Sequence, residues 1–586
     1  MQDTRIYNYM VRSGMLSFMR NGTEETLPVS IGTLPRNKED ALTAYCELSS
    51  ESSGLRVQVF VENDTGFQVK LKSFSLETTI FLPKESRVFC NGYQSWSLSQ
   101  MVEVSKGLPS PPLYMPNLLK NSGDYNFSAY YSGYAHSWNY SYFNSPAGFT
   151  LLSSLDETLS YTSFQYIYDR DKSGSNVVIS KDCDGFYLPF TPKTSGQPVA
   201  PIKILDFFMM TGDEQECFTQ YFKLFYQLNS SPECFNRSNP ALAWDSWYSL
   251  FNQVEENRLL SILGEYYVRE IPLDYFIIGQ GYEVQAGDWL SPSSGFPSGL
   301  KRIAELIKEA GYKPGITFSP FVCSDKSQLF KERPDFLAKD RNNKLIKVGK
   351  SSDQGGMLYL LDLYNAQATA YIQRCIKTMI ESWGISILKF EFLYAAGLQS
   401  GDYMKKTRAQ VINHALAILR NAAATVPVIA CGVPLASAFG LFEYCSVAPD
   451  LSSGWDGPDP LFVGKNLRER ESTFSAIKST IGRRHLDGRA FSSDPGSFSL
   501  RKFKRKLNSA QQEALFKTCI IFGGLISNSD SIGSYSTVSL EQYRSAITHK
   551  ASRFNNKRVL SIEEKSRKIH VRYTLRNNIF EDDIIL

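Results

Sequence analysis

The second half of the chain alternates short apolar runs with amphipathic stretches, and this alternation constrains the fold more than any other feature. An example is the run LDYFIIG, which is followed by GLKRIAELIKEAG. In the second stretch Leu300, Ile303 and Ile307 repeat at helical spacing, and Gly311 suits the helix end. Roughly eight such units follow one another over about 300 residues, a pattern typical of a parallel sheet closed into a barrel. We therefore expect a (β/α)8 TIM barrel over residues 226–535.

The regions on either side of the predicted barrel have the pattern of antiparallel strands. In GLRVQVFVEN the polar Arg56 and Gln58 alternate with Val57, as in a strand with one buried face. Similar short runs separated by turns fill residues 1–225, which predicts an N-terminal β-sandwich. Residues 536–586 are expected to form a short C-terminal β region. The predicted fold is thus multidomain, with both α and β structure.

Length and composition fit several globular domains in water. The 586 residues exceed what one compact core usually holds, so two to four domains of roughly 100–250 residues are expected. Hydrophobic residues make up 42%, and a formal net charge of only +4 gives no electrostatic basis for nucleic-acid or membrane binding. The first residues lack the basic-then-apolar order of a signal peptide, and no apolar stretch approaches the ~20 residues of a membrane span. We therefore expect a soluble cytoplasmic protein.

The ten cysteines and five histidines give no sign of a disulfide framework or a metal site. The cysteines are scattered without a CxxC pair, and the histidines lie far apart along the chain. Zinc sites usually draw on closely spaced ligands of these two types. No metal and no organic cofactor is expected.

Two charged residues interrupt an apolar run near the middle of the predicted barrel. In ILKFEFLYAAG, residues 387–397, strand alternation puts Lys389 and Glu391 on one face and Phe390 and Phe392 on the other. Burying two charges is costly unless they are paired or used. Two interpretations remain open: a buried ion pair that fixes the register of the strand, or part of a binding or catalytic site.

A second carboxylate, Asp450, is predicted to follow another barrel strand, in the sequence VAPD. Active sites of such barrels form at the C-terminal ends of the strands, where Glu391 is also expected. A retaining glycosidase uses two carboxyl groups about 5–5.5 Å apart, one as nucleophile and one as acid/base. Glu391 and Asp450 are the candidate pair, and a turn or helix cap is the alternative role for Asp450.

Several short motifs extend this reasoning to most of the chain. They are NGYQSWS (91–97), WDSWYS (244–249), GDWLSPSSGFPSGL (287–300), ILKFEFLYAAG (387–397), ACGVPL (430–435) and VAPDLSSGWD (447–456). In this order they resemble the N-terminal loop and the strand-end motifs of glycoside hydrolase family 36, the α-galactosidase family. The resemblance implies a β-sandwich, a (β/α)8 barrel and a small C-terminal β domain, with a sugar as the ligand.

By this resemblance, Glu391 occupies the position of the family's nucleophile and Asp450 that of its acid/base. Lys389 would hydrogen-bond sugar hydroxyls, Trp289 would pack on the sugar, and Trp96 would reach from the sandwich over the barrel mouth. The substrate-binding set implied in this way comprises Trp96, Trp247, Gly279, Gln280, Asp288, Trp289, Lys389, Cys431, Gly432, Ser446 and Trp455.

Simpler structural roles remain open for several of these residues. Trp96 and Trp289 would serve equally well as packing aromatics. Cys431, with its apolar neighbours, suits a small core residue better than a reactive thiol. Gly279 either permits a tight turn or opens room for a substituent that galactose lacks.

The chain departs from the family pattern at the positions that hold the sugar. The nucleophile, Asp in the family, is Glu391 here, and its extra methylene displaces the carboxylate by about 1 Å, which can cost roughly 10²-fold in rate. The family's Asp-Asp-Gly is Gly-Gln-Gly at residues 279–281, so two carboxylates expected to hold galactose hydroxyls are absent, a loss worth ~10⁴ in discrimination. Ser446 replaces an Arg, and the Asp-Pro-Asp after the seventh strand ends in Gly496.

These observations predict an α-galactosidase-like glycoside hydrolase that acts on α-linked sugars by a retaining double displacement, with weakened activity or altered specificity. The alternative is a non-catalytic carbohydrate-binding or scaffold protein, a pseudoenzyme, on the same fold. In either case the expected partner is a small-molecule carbohydrate. The resemblance also implies assembly as a homo-oligomer.

Overall fold

The computed structural model describes most of the chain. The described residues are 11–20, 22–31, 42–51, 54–78, 80, 82–109, 123–127, 131–145, 148–171, 174–190, 200–229, 240–350, 356–452, 454–456, 468, 471–501, 506–551, 558–565, 568–575 and 578–586.

A ring of parallel strands forms the centre of the molecule. In order around the ring these are Ala241–Asp245, Tyr275–Ile278, Lys313–Phe318, Ile387–Phe390, Val428–Ala430, Tyr444–Ser446, the interrupted strand Ser492–Asp494 with Ser497–Phe498, and Leu525–Asn528. The first half of the interrupted strand pairs with the sixth strand and its second half pairs with the eighth. The eighth strand pairs with the first, which closes the ring and confirms the predicted (β/α)8 barrel.

A helix follows each barrel strand. In chain order the helices are Glu256–Val268, Gly299–Glu309, Ala366–Lys377 (extended by a π turn, Thr378–Ser382), Arg408–Ala423, the short Leu435–Ala438, Thr473–Gly482, Ser509–Phe522 and Thr537–Ala551. The fourth and seventh begin with capping boxes at Thr407 and Asn508, which satisfy backbone donors at their starts. The eighth helix lies beyond residue 535, so the βα alternation continues to residue 551.

Shorter elements occupy the loops at the C-terminal ends of the strands. A small antiparallel sheet, Val322–Ser324, Lys347–Lys350 and Met357–Leu360, follows the third strand. The remaining helical turns are Trp247–Leu250, Gln328–Glu332, Pro334–Phe336, Leu393–Leu398, Arg484–Leu486 and Ile532–Ser534.

Two sheets packed face to face make up the N-terminal part, which confirms the predicted sandwich. One sheet has the order Thr23–Pro28, Val11–Arg20, Val69–Thr78, Gly174–Lys181, Thr162–Asp169 and Tyr134–Trp138, with Tyr187–Leu188 also paired to Val69–Thr78. The other has the order Ser30–Ile31, Leu42–Glu51, Gly54–Asn63, Ile202–Gly212, Gly148–Ser154, Tyr140–Ser145, Arg87–Cys90 and Gln100–Glu103. Val57 and Val59 are fully buried between the sheets, as the alternation in GLRVQVFVEN predicts.

A helix, Glu214–Asn229, leads from the sandwich to the barrel. The predicted domain boundary at residue 225 therefore falls inside a helix. Its aromatic residues Phe218, Tyr221 and Phe222 are buried in the same apolar cluster as the outer faces of the barrel strands. The sandwich and the barrel thus share a continuous core through this helix.

The C-terminal strands are Arg558–Lys565, Lys568–Leu575 and Asn578–Ile585, which form an antiparallel sheet. This sheet packs on the seventh barrel helix, where Lys517 Nζ lies 3.2 Å from a carboxylate oxygen of Asp582. The expected C-terminal β region is therefore present, preceded by the eighth barrel helix. Among the described residues no helix has both the length and the apolar character needed to cross a membrane.

Candidate active site

The carboxyl ends of the barrel strands enclose a narrow cavity lined by ionisable side chains. Its charged lining consists of Asp245, Lys389, Glu391, Asp450 and Asp494. The free volume is about 10 Å³, room for about one water molecule. Beneath it lies a small apolar cluster inside the barrel.

Lys389 forms its closest ion pair with the first barrel strand rather than with its neighbour Glu391. Its Nζ lies 2.8 Å from Asp245 Oδ2 and 3.8 Å from Glu391 Oε1. Burial disfavours the ammonium, but Asp245 and the other acidic groups nearby together outweigh burial, so the pKa of Lys389 is raised well above its usual value. Lys389 is therefore a fixed cation at the base of the cavity, and it ties the fourth strand to the first.

Strand alternation at this site holds as far as Phe390 and then breaks. Phe390 is buried on the outer face against Phe318, as predicted. Phe392, expected on the same face, has a left-handed backbone with φ +56° and lies edge-on to Trp96 at 5.3 Å. The strand ends before it, so Phe392 turns back to the cavity mouth.

Glu391 is held by an amide side chain from the loop after the second strand. Gln280 Nε2 donates to Glu391 Oε2 at 2.8 Å and to Ser319 Oγ at 2.6 Å. Burial raises the pKa of Glu391 to about 8, and the nearby Asp450 acts in the same direction while Lys389 opposes it. Glu391 is therefore largely protonated at neutral pH.

Asp450 faces the same cavity and is bound to a tyrosine from the first βα loop. The Tyr248 hydroxyl donates a hydrogen bond to Asp450 Oδ1, with an O–O distance of 3.0 Å. Asp494 completes the group of carboxyls; burial raises its pKa, and its Oδ1 accepts a hydrogen bond from the backbone of Gly496 at 3.0 Å. Carboxyl groups from three separate strand ends thus converge on one small space.

The sandwich closes one side of the cavity through its NGYQSWS loop. Ser95 Oγ accepts a hydrogen bond from the backbone N–H of Gly432 at 2.8 Å, and Trp96 lies on the cavity wall. A β-carbon at Gly432 would be 3.0 Å from the Trp96 ring, and Gly432 has φ +66°. A glycine is therefore required for the close approach of Trp96.

Gly279 does not open space for a larger sugar. Its N–H donates to Ser246 Oγ at 2.7 Å, and a β-carbon at this position would also lie 2.7 Å from that oxygen. The hydroxyl of Ser246 thus occupies the place of a side chain at residue 279. The room considered for a substituent that galactose lacks is therefore filled at Gly279.

Cys431 and Ser446 line the cavity but carry no reactive group at neutral pH. Burial raises the pKa of the Cys431 thiol well above its usual value. Ser446 Oγ lies 3.2 Å from the carbonyl oxygen of Ala448 and donates to it. Both side chains shape the wall. Among the described residues, no group of His, Cys, Asp and Glu is arranged to hold a metal ion.

Comparisons with known proteins agree with this architecture. Residues 207–420 match the family model described as Melibiase. The chain is 29% identical over 122 residues to the alpha-galactosidase Mel36A of Lactobacillus acidophilus, over 18% of this chain and 16% of that protein. It is 24% identical over 163 residues to alpha-galactosidase 1 of Pediococcus pentosaceus, and this match covers 27% of this chain and 21% of that protein. The matched segments thus span about a fifth or less of these relatives.

Solved structures extend the likeness to nearly the whole chain. TtGalA, an alpha-galactosidase from Thermus thermophilus in complex with stachyose, superposes with a TM-score of 0.66 at 23% identity, covering 91% of this chain and 99% of that one. The GH36 alpha-galactosidase AgaA from Geobacillus stearothermophilus superposes with a TM-score of 0.62 at 12% identity. This superposition covers 92% of this chain and 72% of AgaA. The chain therefore has the fold of these alpha-galactosidases, and part of its sequence is similar to the Melibiase family.

Seven residues expected in the sugar site do not line the cavity. Gln280 and Gly432 contact residues that do, and Gly279 contacts Ser246. The other four lie away from it. Trp247 is edge-on to Phe251 at 5.8 Å, and the Asp288 carboxylate caps a short helix by accepting N–H bonds from residues 328 and 329. Trp289 is fully buried beside Phe318 and Tyr371. Trp455 lines a separate groove beside Phe474. The sequence motifs identify the loops of this family but not the direction of each side chain within them.

Among the ionisable residues of the cavity, Asp245, Tyr248 and Asp494 were not predicted as site residues from the sequence. Asp245 ends the first strand and pairs with Lys389, and Tyr248 binds Asp450. Asp245 carried a usable signal, because it is an acidic residue in the otherwise apolar run ALAWD, just as Lys389 is a charge within a strand. Tyr248 carried no such signal, because tyrosine is often partly buried without any role in a site.

Proposed function

We propose that this protein is a retaining glycosidase that acts on α-linked sugars. The observation that carries the proposal is that Glu391 and Asp450, from different strand ends, line one cavity together with the fixed cation Lys389. In this mechanism ionised Glu391 attacks the anomeric carbon while Asp450 protonates the leaving oxygen. Asp450 then removes a proton from the water that releases the sugar from Glu391.

The similar structures support the substrate class. TtGalA was solved in complexes with stachyose and with p-nitrophenyl α-D-galactopyranoside. The sugar proposed for this chain is an α-linked hexose whose 4- and 6-hydroxyls do not depend on two carboxylates, because residues 279–281 provide Gly-Gln-Gly. We therefore propose that activity on α-galactosides is weak or that another α-glycoside is preferred.

The protonation of Glu391 gives a physical reason for weak activity. With a pKa of about 8, roughly one tenth of the molecules have an ionised Glu391 at pH 7. A protonated carboxyl group cannot act as the nucleophile, so only this fraction is competent before the substrate binds. Sugar entry also requires side chains around the cavity to move, since about 10 Å³ is free.

A second candidate is a non-catalytic carbohydrate-binding protein on the same fold. It is favoured by the same two observations, a neutral Glu391 and a nearly filled cavity. The two candidates differ in one respect: hydrolysis requires both carboxyl groups, whereas binding does not.

The deciding experiment measures release of nitrophenol from a panel of nitrophenyl α-glycosides, alongside calorimetric binding of the same sugars. Variants Asp450→Asn and Glu391→Gln remove the proposed acid/base and nucleophile, and Asp171→Asn at an exposed sandwich position serves as the control. Release by wild type and by the control, lost in both site variants, supports hydrolysis. Binding without release by any protein supports the second candidate, and the absence of both overturns the two.

A further inference from the structure

A second and larger cavity lies where three parts of the molecule meet. It has a volume of about 420 Å³ and is bounded by the sandwich, the sixth barrel helix and the C-terminal sheet. Its floor is apolar, with Phe149 from the sandwich, Ile481 from the barrel helix and Ile569 from the C-terminal sheet, all buried. Small-molecule sites prefer such concave junctions and commonly measure about 300–1,000 Å³.

Most charged groups on the walls of this junction cavity are already paired. Arg484 forms an ion pair with Glu214, and Arg87 Nη1 lies 3.0 Å from Glu564 Oε2. These four groups therefore balance one another. Glu85 is exposed at the mouth, where water and salt screen its charge.

Lys478, on the sixth barrel helix, is the cation left over on this wall. Its Nζ is 3.5 Å from Gln100 Oε1 and 4.8 Å from the centre of the Phe474 ring, and among the described residues it forms no ion pair within 4 Å. Burial lowers its pKa, with Arg87 acting in the same direction and Glu564 opposing. A partly buried ammonium with these weak contacts lacks a strong anionic partner, which a ligand can supply.

We propose that the junction cavity binds a small organic anion, whose carboxylate or phosphate pairs with Lys478 and whose apolar side lies on Phe149 and Ile569. The polar rim and apolar floor suit a ligand with one charged end. The site shares no lining residue with the barrel cavity, so binding is independent of hydrolysis. Because the ligand contacts the sandwich, a barrel helix and the C-terminal sheet, it also stabilises their junction.

The test is calorimetric titration of the full chain with a carboxylate probe (galacturonate), a phosphate probe (galactose 6-phosphate), inorganic phosphate and neutral galactose. We expect saturable binding of one of the two organic anions. The Lys478→Met variant should lose roughly ten-fold or more in affinity, since a hydrogen bond to a charged group is worth about 1.5–3 kcal/mol. The Lys478→Arg variant should keep most of the affinity of wild type for the anion. Lys301→Met, an exposed lysine on the second barrel helix, is the control.

Three results would overturn the proposal. The first is that neither organic anion binds. The second is that inorganic phosphate binds as tightly as the organic anions, which would mean an adventitious ion only. The third is that Lys478→Met binds the organic anion with the affinity of wild type. If Lys478→Met does not fold, Lys478→Gln and the charge-retaining Lys478→Arg are compared in its place. The Asp450→Asn variant must bind the anion as wild type does, and a loss there would assign the binding to the barrel cavity instead.

Discussion

Gln280 Nε2 donates a hydrogen bond to Glu391 Oε2 at 2.8 Å, so an amide stands beside the proposed nucleophile where the family pattern has a carboxylate. A carboxylate at residue 280 would repel an ionised Glu391, whereas the amide favours the ionised form by donating to it. By the family resemblance this one substitution would remove a sugar-holding carboxylate, and in the structure it places a hydrogen-bond donor on the proposed nucleophile.

The first prediction concerns the pH dependence of hydrolysis. Because Glu391 must be ionised to act and its pKa is raised to about 8, kcat/KM should rise with pH through about 8 and fall again at the higher pH where Asp450 loses the proton it gives to the leaving group. Replacing Gln280 by Leu removes a donor to the carboxylate, so the rise should shift to higher pH. Ser319→Ala, which removes the other acceptor of the same amide, is the control. An unshifted profile in Gln280→Leu would show that the amide does not act on Glu391.

The second prediction concerns stability and needs no activity. The pKa of Glu391 is raised from 4.5 to about 8 in the folded protein, so folding favours the protonated form. Its contribution to stability is full below pH 4.5 and falls as pH rises towards 8, by about 1.4 kcal/mol for each unit of the shift. Urea unfolding at several pH values should show this loss in wild type and not in Glu391→Gln. Parallel curves for the two proteins would contradict it.

The third prediction tests the ion pair between Lys389 and Asp245. Asp245→Ala leaves a buried ammonium without its nearest partner, and the free energy of unfolding should fall by about 3–5 kcal/mol. The double variant Asp245→Leu with Lys389→Met removes both charges and should recover much of that loss. Equal destabilisation in the single and double variants would mean that packing, rather than charge, sets the cost.

The fourth prediction addresses the sugar-holding positions. Combining Glu391→Asp, Gly279→Asp and Gln280→Asp recreates the family pattern, but a side chain at residue 279 meets the Ser246 hydroxyl. We therefore expect α-galactosidase activity to increase only when Ser246→Ala is added. The measurement is kcat/KM on nitrophenyl α-galactoside for the triple and quadruple variants. Equal activity in the two would show that Ser246 moves freely.

The fifth prediction separates the two tryptophans expected at the sugar. Trp289 is fully buried, so Trp289→Ala should cost about 3–5 kcal/mol in unfolding free energy. Trp96 lies on the cavity wall, so Trp96→Ala should raise KM with a smaller loss of stability. A normal stability for Trp289→Ala together with a raised KM would reverse these assignments.

The sequence predicted the barrel and the sandwich because hydrophobic periodicity follows directly from which faces are buried. It also placed Lys389 and Glu391 on one face, since alternation is a property of any strand. It did not show that Lys389 pairs with Asp245, because that contact joins residues 144 positions apart. The eighth helix was missed because TVSLEQYRSAITHKA has no clear apolar stripe, and its position is set by packing around Tyr543 and Ile547.

In the proposed mechanism Glu391 forms a covalent bond to the sugar, and this intermediate can be trapped. The protein is incubated with fluorinated α-glycosyl fluorides, which form the glycosyl-enzyme and hydrolyse slowly, and the product is mapped by peptide mass spectrometry. We expect one added glycosyl group on the peptide that contains Glu391, and no adduct in the Glu391→Gln variant. A sugar attached to another residue, or hydrolysis of α-glycosides that persists in Glu391→Gln, would contradict it.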